Sequence, residues 1–347
     1  MSTPTALTIP GEAVEARLTQ ALTRYRAEWS TVDPLLAETV DVLEHLVLSG
    51  GKRVRPAMAH WGYVAGGGDP TSPALADLGA ALELLQGFAL FHDDVMDGSA
   101  TRRGLPTAHV REIERHQEAG WRGEPRRYGE AVAILAGDVA LVLADVMLAS
   151  VPPLVRSLWN DLRVEVNLGQ FLDVVGTVRG DVPLATSERI VEYKTARYTI
   201  VRPLQMGAAL AGADHLIEQL HGIGTPIGIG FQLRDDLLGA FGETEVTGKP
   251  VGDDLREAKP TPLLATAVAL ATPNQLDILR GVGPGLDDSG VARVQRVLHD
   301  TGAVDTIEAQ IRELTAVAHA AIAAAPLAAD AGDKLTELAT FLADRSH

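Results

Sequence analysis

Residues 74–97 read ALADLGAALELLQGFALFHDDVMD. Apolar residues recur at three- and four-residue spacing, for example Leu75, Leu78, Leu82 and Leu85, which is the period of an α-helix with a buried face. The run is apolar up to Phe91 and then places Asp93, Asp94 and Asp97 within five residues. On a helix Asp93 and Asp97 are one turn apart on one face, with Asp94 beside them. Like charges at that spacing repel, and carboxylates at a helix C-terminus oppose the helix dipole. A hard divalent cation such as Mg²⁺, bound through oxygen, would offset both costs. The alternative is an acidic helix end at the surface; the apolar run that precedes it argues against that.

Working outward, the same period fills residues 12–49, 131–149, 154–175, 188–213 and 307–325, while strict two-residue alternation is scarce. Gly and Pro cluster between these stretches, as in Gly66-Gly67-Gly68-Asp69-Pro70 and Pro152-Pro153. No fixed-period repeat and no long linker divides the chain. The expectation is a single all-α domain over 1–347, built from roughly ten or more helices that bury one another's apolar faces. A flexible N-terminal tail and a mobile polar excursion at about 111–128 (REIERHQEAGWRGEPRRY) are expected to lie outside the core. The most apolar stretch, 131–151, is interrupted by Asp138 and Asp145, so it reads as a buried helix and no membrane span is expected. The N-terminus lacks a basic segment followed by an apolar one, which makes a cytoplasmic location the default.

A second acidic pair closes the sequence FQLRDDLLG, where Gln232, Asp235 and Asp236 share a helix face. Two such pairs, each ending an apolar helix, suggest a metal site shared by facing helices. Positive charge gathers in GGKRVRP (50–56), where paired glycines let backbone amides approach an anion beside Lys52 and Arg55, and in Arg102-Arg103-Gly104. The chain has only five lysines, and Lys52, Lys194, Lys249 and Lys259 all fall in such segments. A compact ammonium suits a phosphate, although ordinary surface charge is the alternative for any one of them.

Composition bounds the rest. Acidic residues number 46 against 30 Lys and Arg, a formal charge of -16, so nucleic acid is not expected as a partner. The hydrophobic fraction of 46% is that of a chain that packs a core, and the absence of cysteine excludes thiolate metal sites and nucleophiles.

Taken together, GGKRVRP, HDDVMD with RRG, GQFLD, KT and FQLRDD…GK…DD…K, in this order from about residue 50 to 264, resemble the trans-isoprenyl diphosphate synthases. The resemblance is greatest to the geranylgeranyl diphosphate synthases. It implies an all-α fold around a deep cavity, a homodimer, and Mg²⁺-dependent head-to-tail condensation of isopentenyl diphosphate with an allylic diphosphate. Under it, Asp93 and Asp97 are direct ligands of two Mg²⁺ ions supported by Asp94, and Asp235 with Asp236 beside it holds a third, about three ions in all. Arg102, Lys194, Thr195, Gln232, Lys249 and Lys259 fall around the allylic diphosphate. Lys52, Arg55, Gln86 and Arg103 fall in the isopentenyl diphosphate pocket, and Gln170 and Asp173 line the cavity near the reacting carbons. The departing diphosphate takes the proton that the condensation releases, and His92 reads as a packing or hydrogen-bonding residue. One departure from the pattern is Gly239, where the family usually carries a third Asp, so the third ion is expected to rest on Asp235, water and diphosphate oxygens.

Helix geometry bears on product length. Ala89 lies directly under Asp93, and Phe88, beside it, is about 7.5 Å deep at 1.5 Å per residue. One aromatic with a neighbouring Ala resembles the geranylgeranyl pattern; farnesyl and longer polyprenyl products are the alternatives, and a plain core aromatic is the other reading of Phe88. Two other classes stay open. A class I terpene cyclase would leave GGKRVRP and Arg103 without a task, and a non-catalytic partner subunit has only Gly239 in its support.

Overall fold

The computed structural model describes residues 4–180, 182–242, 251–328 and 330–344. Among these the chain is helical nearly throughout. In order, the elements are α1 (Thr5–Thr8), α2 (Gly11–Ser30), α3 (Pro34–Val47), α4 (Val54–Ala65) and α5 (Pro73–Asp97). A minimal hairpin follows, β1 (Thr101–Arg102) antiparallel to β2 (Leu105–Pro106), with Thr101 opposite Pro106. Next come α6 (Ala108–Glu118), α7 (Pro125–Met147), α8 (Pro153–Arg179) and α9 (Leu184–Ile190). A π-helix (Val191–Val201), α10 (Arg202–Leu210), a 3₁₀ turn (Asp214–Leu216) and α11 (Ile217–Phe241) complete the middle of the chain. The C-terminal part holds α12 (Asp253–Arg256), α13 (Pro262–Leu270), α14 (Pro273–Leu279), α15 (Asp288–Asp300), α16 (Ala303–Ala324) and α17 (Ala331–Asp344).

The boundaries follow local chemistry. Pro occupies the first turn of α3, α5, α7 and α8, where its missing N–H costs nothing. Gly98 and Gly180 adopt left-handed conformations that end α5 and α8. The apolar faces meet in three clusters. One joins α2, α3, α5, α7 and α8 around Leu82, Phe91 and Trp159; a second joins α1, α4, α10, α11 and α17; a third joins α11 to α12, α13, α15 and α16. α5 therefore sits at the centre of one cluster, and α11 belongs to the other two.

Helix α5 is also the one described helix long and apolar enough to meet the length and hydropathy of a membrane span. Of its most apolar window 61% is buried inside the protein, so that apolarity is spent on the core.

Three expectations are corrected. The N-terminus is packed from Pro4 onward: Ala6 and Leu7 are buried against α4 and α17, and Trp61 Nε1 donates to the Ala6 carbonyl at 2.7 Å. The polar stretch 111–128 comprises the end of α6, a short turn and the first residues of α7, and α6 packs along α7. Its buried residues, with their neighbour His109, are Glu112 and His116, and His116, Trp121 and Tyr128 pack ring against ring. Because that interface is polar and aromatic rather than aliphatic, hydropathy did not reveal it. Helix α7, expected to be buried, buries only one face; Leu135, Val142 and Val146 are exposed.

Candidate active site

Helices α5 and α11 bring their acidic ends to one open cleft of about 590 Å³. Asp93, Asp173, Asp235 and Asp236 line it together with Lys194, Lys259 and Arg102. Asp93 accepts hydrogen bonds from Gln170 Nε2 at 3.0 Å and Lys194 Nζ at 3.3 Å. Burial pushes its carboxyl up, but the charges of Lys194, Lys259 and Arg102 outweigh burial and hold it at about 2. Asp94 turns away from the cleft: it is buried and accepts from Arg102 Nε at 2.8 Å. Asp94 therefore acts by fixing Arg102, whose Nη2 also reaches Asp93 at 3.4 Å. Asp97 lies 3.4 Å from Lys259 Nζ, and burial together with the Asp93 charge raises its pKa.

On α11, Gln232 donates to Asp236 at 2.8 Å and accepts from the Thr195 hydroxyl at 2.6 Å. Burial still pushes the Asp236 carboxyl up to about 8, and its Oδ2 is buried without a hydrogen-bond partner among the described residues.

The cations are delivered by unusual backbone. Lys194 and Thr195 stand on the π-helix, where Arg202 N–H donates to a carbonyl five residues back, at Arg197. Such wide turns re-aim side chains and recur at functional sites. Lys194 Nζ sits 2.5 Å from Asp173, and burial of the ammonium is overcome by the charges of Asp93 and Asp173, so it stays protonated. Close approach makes this possible: a Cβ on Gly169 would lie 2.5 Å from Lys194 N, and one on Gly228 would lie 2.5 Å from Ala196 Cα. Arg102 and Arg103 are aimed by the hairpin, whose two turn residues, Arg103 (φ 53) and Gly104 (φ 75), are both left-handed as this turn requires.

A second set of cations in the same lining has other partners. Lys52, Arg55 and Arg103 stand there with Gln86. Arg55 donates to Thr199 at 2.8 Å and stacks 4.2 Å over the Tyr198 ring, and the Tyr198 hydroxyl donates to Gln86 at 2.8 Å. Arg55 Nε is buried with no hydrogen-bond partner among the described residues. Burial lowers the Arg103 pKa; Glu83 opposes this, while the charges of Arg53, Arg102 and Arg55 lower it further. Guanidinium groups that repel one another in this way form a receptor for an anion. Arg53, within the same motif, has a different role: from a left-handed conformation it caps α4 and pairs with buried Glu83.

The donor set suits Mg²⁺. It consists of carboxylates only, and Asp97 Oδ2 and Asp236 Oδ2 are both buried without a hydrogen bond from a described residue. Among the described residues no three such groups close on one point. That fits Mg²⁺, which keeps several waters and is held by one or two carboxylates plus substrate phosphate.

Below Asp93 a narrower cavity of about 180 Å³ is lined by Phe88, Ala89, His92, Val166, Gln170 and Tyr198, among others. Phe88 stacks on His92 at 4.6 Å, and His92 Nε2 donates to the Ile134 carbonyl at 3.1 Å, a packing role. The sequence-predicted residues thus gather around two adjoining cavities, except Asp94, which faces Arg102, Asp97, which meets Lys259 at the edge, and Lys249, which lies outside the described residues. Sequence reasoning missed Tyr198 and Thr199; Asp254 is quoted within FQLRDD…GK…DD…K but given no role. Tyr198 and Thr199 belong to no acidic or basic run, and only the π-helical register turns them toward Arg55.

Comparison with known proteins agrees with this arrangement. The sequence model of the family "Polyprenyl synthetase" matches residues 37–300. A geranylfarnesyl diphosphate synthase of Aeropyrum pernix is 34% identical over 77% of this chain and 81% of its own length. A geranylgeranyl diphosphate synthase of Methanosarcina mazei is 35% identical over 76% of each. The solved structure of a geranylgeranyl pyrophosphate synthase from Corynebacterium glutamicum, complexed with isoprenyl diphosphate and magnesium, superimposes with a TM-score of 0.92 at 36% identity, covering 99% of this chain and 100% of its own. With two acidic helix ends and two cationic groups around one cleft in an all-α domain, the chain belongs to the polyprenyl synthetases, a family of prenyltransferases.

Proposed function

We propose that the protein condenses isopentenyl diphosphate head-to-tail with an allylic diphosphate, with Mg²⁺, and that geranylgeranyl diphosphate is the main product. The observation that carries this is one cleft lined by two sets of cations with different partners: Lys194, Lys259 and Arg102 pair with carboxylates, while Arg55 holds Thr199 and Tyr198 and Arg103 holds the Gly50 carbonyl, with Lys52 in the same lining. Two anion subsites fit two diphosphates; a cyclase needs only one.

Mg²⁺ held by Asp93, Asp97 and Asp235 with diphosphate oxygens supplies Lewis-acid stabilisation of the leaving group. The chain's own residues do the rest. Lys194, Lys259 and Arg102 stand where negative charge grows as the allylic C–O bond breaks, fixed in advance by Asp173, Asp97 and Asp94. Lys52, Arg55 and Arg103 orient the second diphosphate, so that its double bond faces the allylic carbon. The new C–C bond then forms, and a proton passes to the departing diphosphate. The smaller adjoining cavity, with Phe88 packed on His92 in its lining, receives the growing chain. Support for the geranylgeranyl product comes from the single aromatic, Phe88, beside Ala89, and from the synthases of that name among the relatives.

We further propose a homodimer. Leu135, Val142 and Val146 on α7, with Val164, Leu168, Phe171 and Val178 on α8, leave an apolar face exposed on the single chain.

Incubating the protein with isopentenyl diphosphate, each allylic diphosphate and Mg²⁺, then treating with phosphatase and chromatographing the alcohols, tests the reading. Geranylgeraniol is expected. Cyclic hydrocarbons, or unextended primer alcohols alone, would overturn it.

A further inference from the structure

Three charged residues along the π-helix line neither of the two adjoining cavities and recur every five positions: Glu192, Arg197 and Arg202. Their side chains form one connected row. Arg197 Nε and Nη2 donate to Glu192 at 2.8 and 2.6 Å. Glu165 of α8 accepts from Arg197 Nη1 at 2.7 Å and from Arg202 Nη2 and Nε at 2.6 and 2.9 Å. On an α-helix, positions five apart point roughly 140° away from each other. Side-chain pairs on an α-helix therefore form at spacings of three and four, and this row would not assemble. Backbone bonds to the fifth residue, such as that from Arg202 N–H to the Arg197 carbonyl, bring the members of the row one above the other.

The cleft side of the π-helix carries the same spacing. Lys194 and Thr199 are also five apart, and both line the cleft. Lys194 holds Asp173 and Asp93, while Thr199 accepts from Arg55 in the second set of cations. In an α-helical turn Thr199 would swing away from the side of Lys194, and Arg55 would lose its acceptor. The close approaches at Gly169 and Gly228 make room beside the π-helix, but room does not choose a register. The charges do: the Glu165 side chain is only 12% exposed, and Arg197 and Arg202 would lose this shared partner if the turn tightened and drove them apart.

We infer that Glu165, with the row Glu192, Arg197 and Arg202, is a register clamp that selects the π-helix over an α-helix and thereby positions Lys194 and Thr199 on one side of the cleft. Glu165 lines neither cavity, so it is a positioning residue that acts through Thr199 and Arg55. The inference rests on the proposed function only for the identity of the anion at Arg55.

Titration calorimetry of isopentenyl diphosphate into the full chain, with no allylic partner, tests this without turnover. Glu165→Gln keeps the side-chain shape, and Arg197→Ala removes the middle of the row. Each should weaken binding about fivefold, the worth of one orienting hydrogen bond. Thr199→Val removes the acceptor of Arg55 directly and should cost about the same factor. Because Glu165 and Thr199 act on one bond, Glu165→Gln with Thr199→Val should bind within about twofold of Thr199→Val alone. Circular dichroism at the assay temperature establishes that each variant is folded, and lowered global stability leaves the affinity of the folded chain unchanged. Losses that multiply in the double variant, or wild-type affinity in Glu165→Gln and Arg197→Ala, would overturn the inference. A crystal structure of Arg197→Ala reads the register with no ligand: bonds to the fourth residue across 191–201 are expected, and a retained π-helix overturns the clamp. If the wild type binds isopentenyl diphosphate but makes no prenyl product, the proposed reaction falls and the clamp is judged on the same results. If it binds none, the proposed reaction falls and the crystal structure alone decides the clamp.

Discussion

At the scale of single residues, the site works by holding like charges close and fixing each with an opposite one. Lys194 bridges half-buried Asp93 and buried Asp173, so Lys194→Ala removes a preorganised cation and leaves both carboxylates without it. A loss of about 10²-fold or more in kcat is expected, by analogy with removal of one charge-stabilising donor, and steady-state kinetics at saturating substrates would measure it. Phe88 is tested by its product. Phe88→Ala opens the narrow cavity and should shift the alcohols recovered after phosphatase treatment toward longer chains; an unchanged distribution removes Phe88 as the floor. The acidic and basic residues were legible in the sequence because spacing of three and four puts them on one helix face. Tyr198 was not, since only the π-helical register turns it under Arg55.

At the scale of elements, the site depends on how closely three helices approach. Gly169 lets α8 touch the π-helix at Lys194, so Gly169→Ala must separate them. It should cost about 1–3 kcal/mol in chemical denaturation, and it should lower kcat as well because Lys194 moves. On the far side of the same contact, Glu165 of α8 accepts from Arg197 at 2.7 Å and from Arg202 at 2.6 Å. Burial pushes the Glu165 carboxyl up, but hydrogen bonds and charge from Arg202 and Arg197 outweigh it and leave the pKa below its usual value. A lowered folded-state pKa means that the unfolded chain binds the proton first on acidification. The stabilisation is therefore complete above the unfolded pKa of about 4.3 and is lost as pH falls through the lower folded value. From pH 6 toward pH 3 the stability gap between wild type and Glu165→Gln, followed by urea unfolding, should narrow. The 3.6-residue period foretold a helix over 188–213, but the π-helical turns inside it leave no mark on hydropathy. They are imposed by packing between α8 and α11.

For the whole molecule, the exposed apolar face on α7 and α8 sets the expected assembly. Replacing Leu168 and Phe171 with Glu should convert a dimer into single chains in sedimentation velocity, with helical content retained in circular dichroism. The same scale bears on the charge of -16: part of the acidic excess lines the cleft, where Lys52, Arg55, Arg102, Arg103, Lys194 and Lys259 stand among the carboxylates and set the local field. Periodicity and Gly and Pro punctuation by themselves determined the all-α class, composition excluded thiol chemistry, and spacing put two acidic groups at helix ends, because those properties are written in the local sequence. Only the tertiary structure decided that Asp94 serves Arg102, that 111–128 is packed, and that Arg197 and Arg202 meet one carboxylate, Glu165. Each of these depends on what stands opposite a residue in space, and one-dimensional spacing carries no record of that.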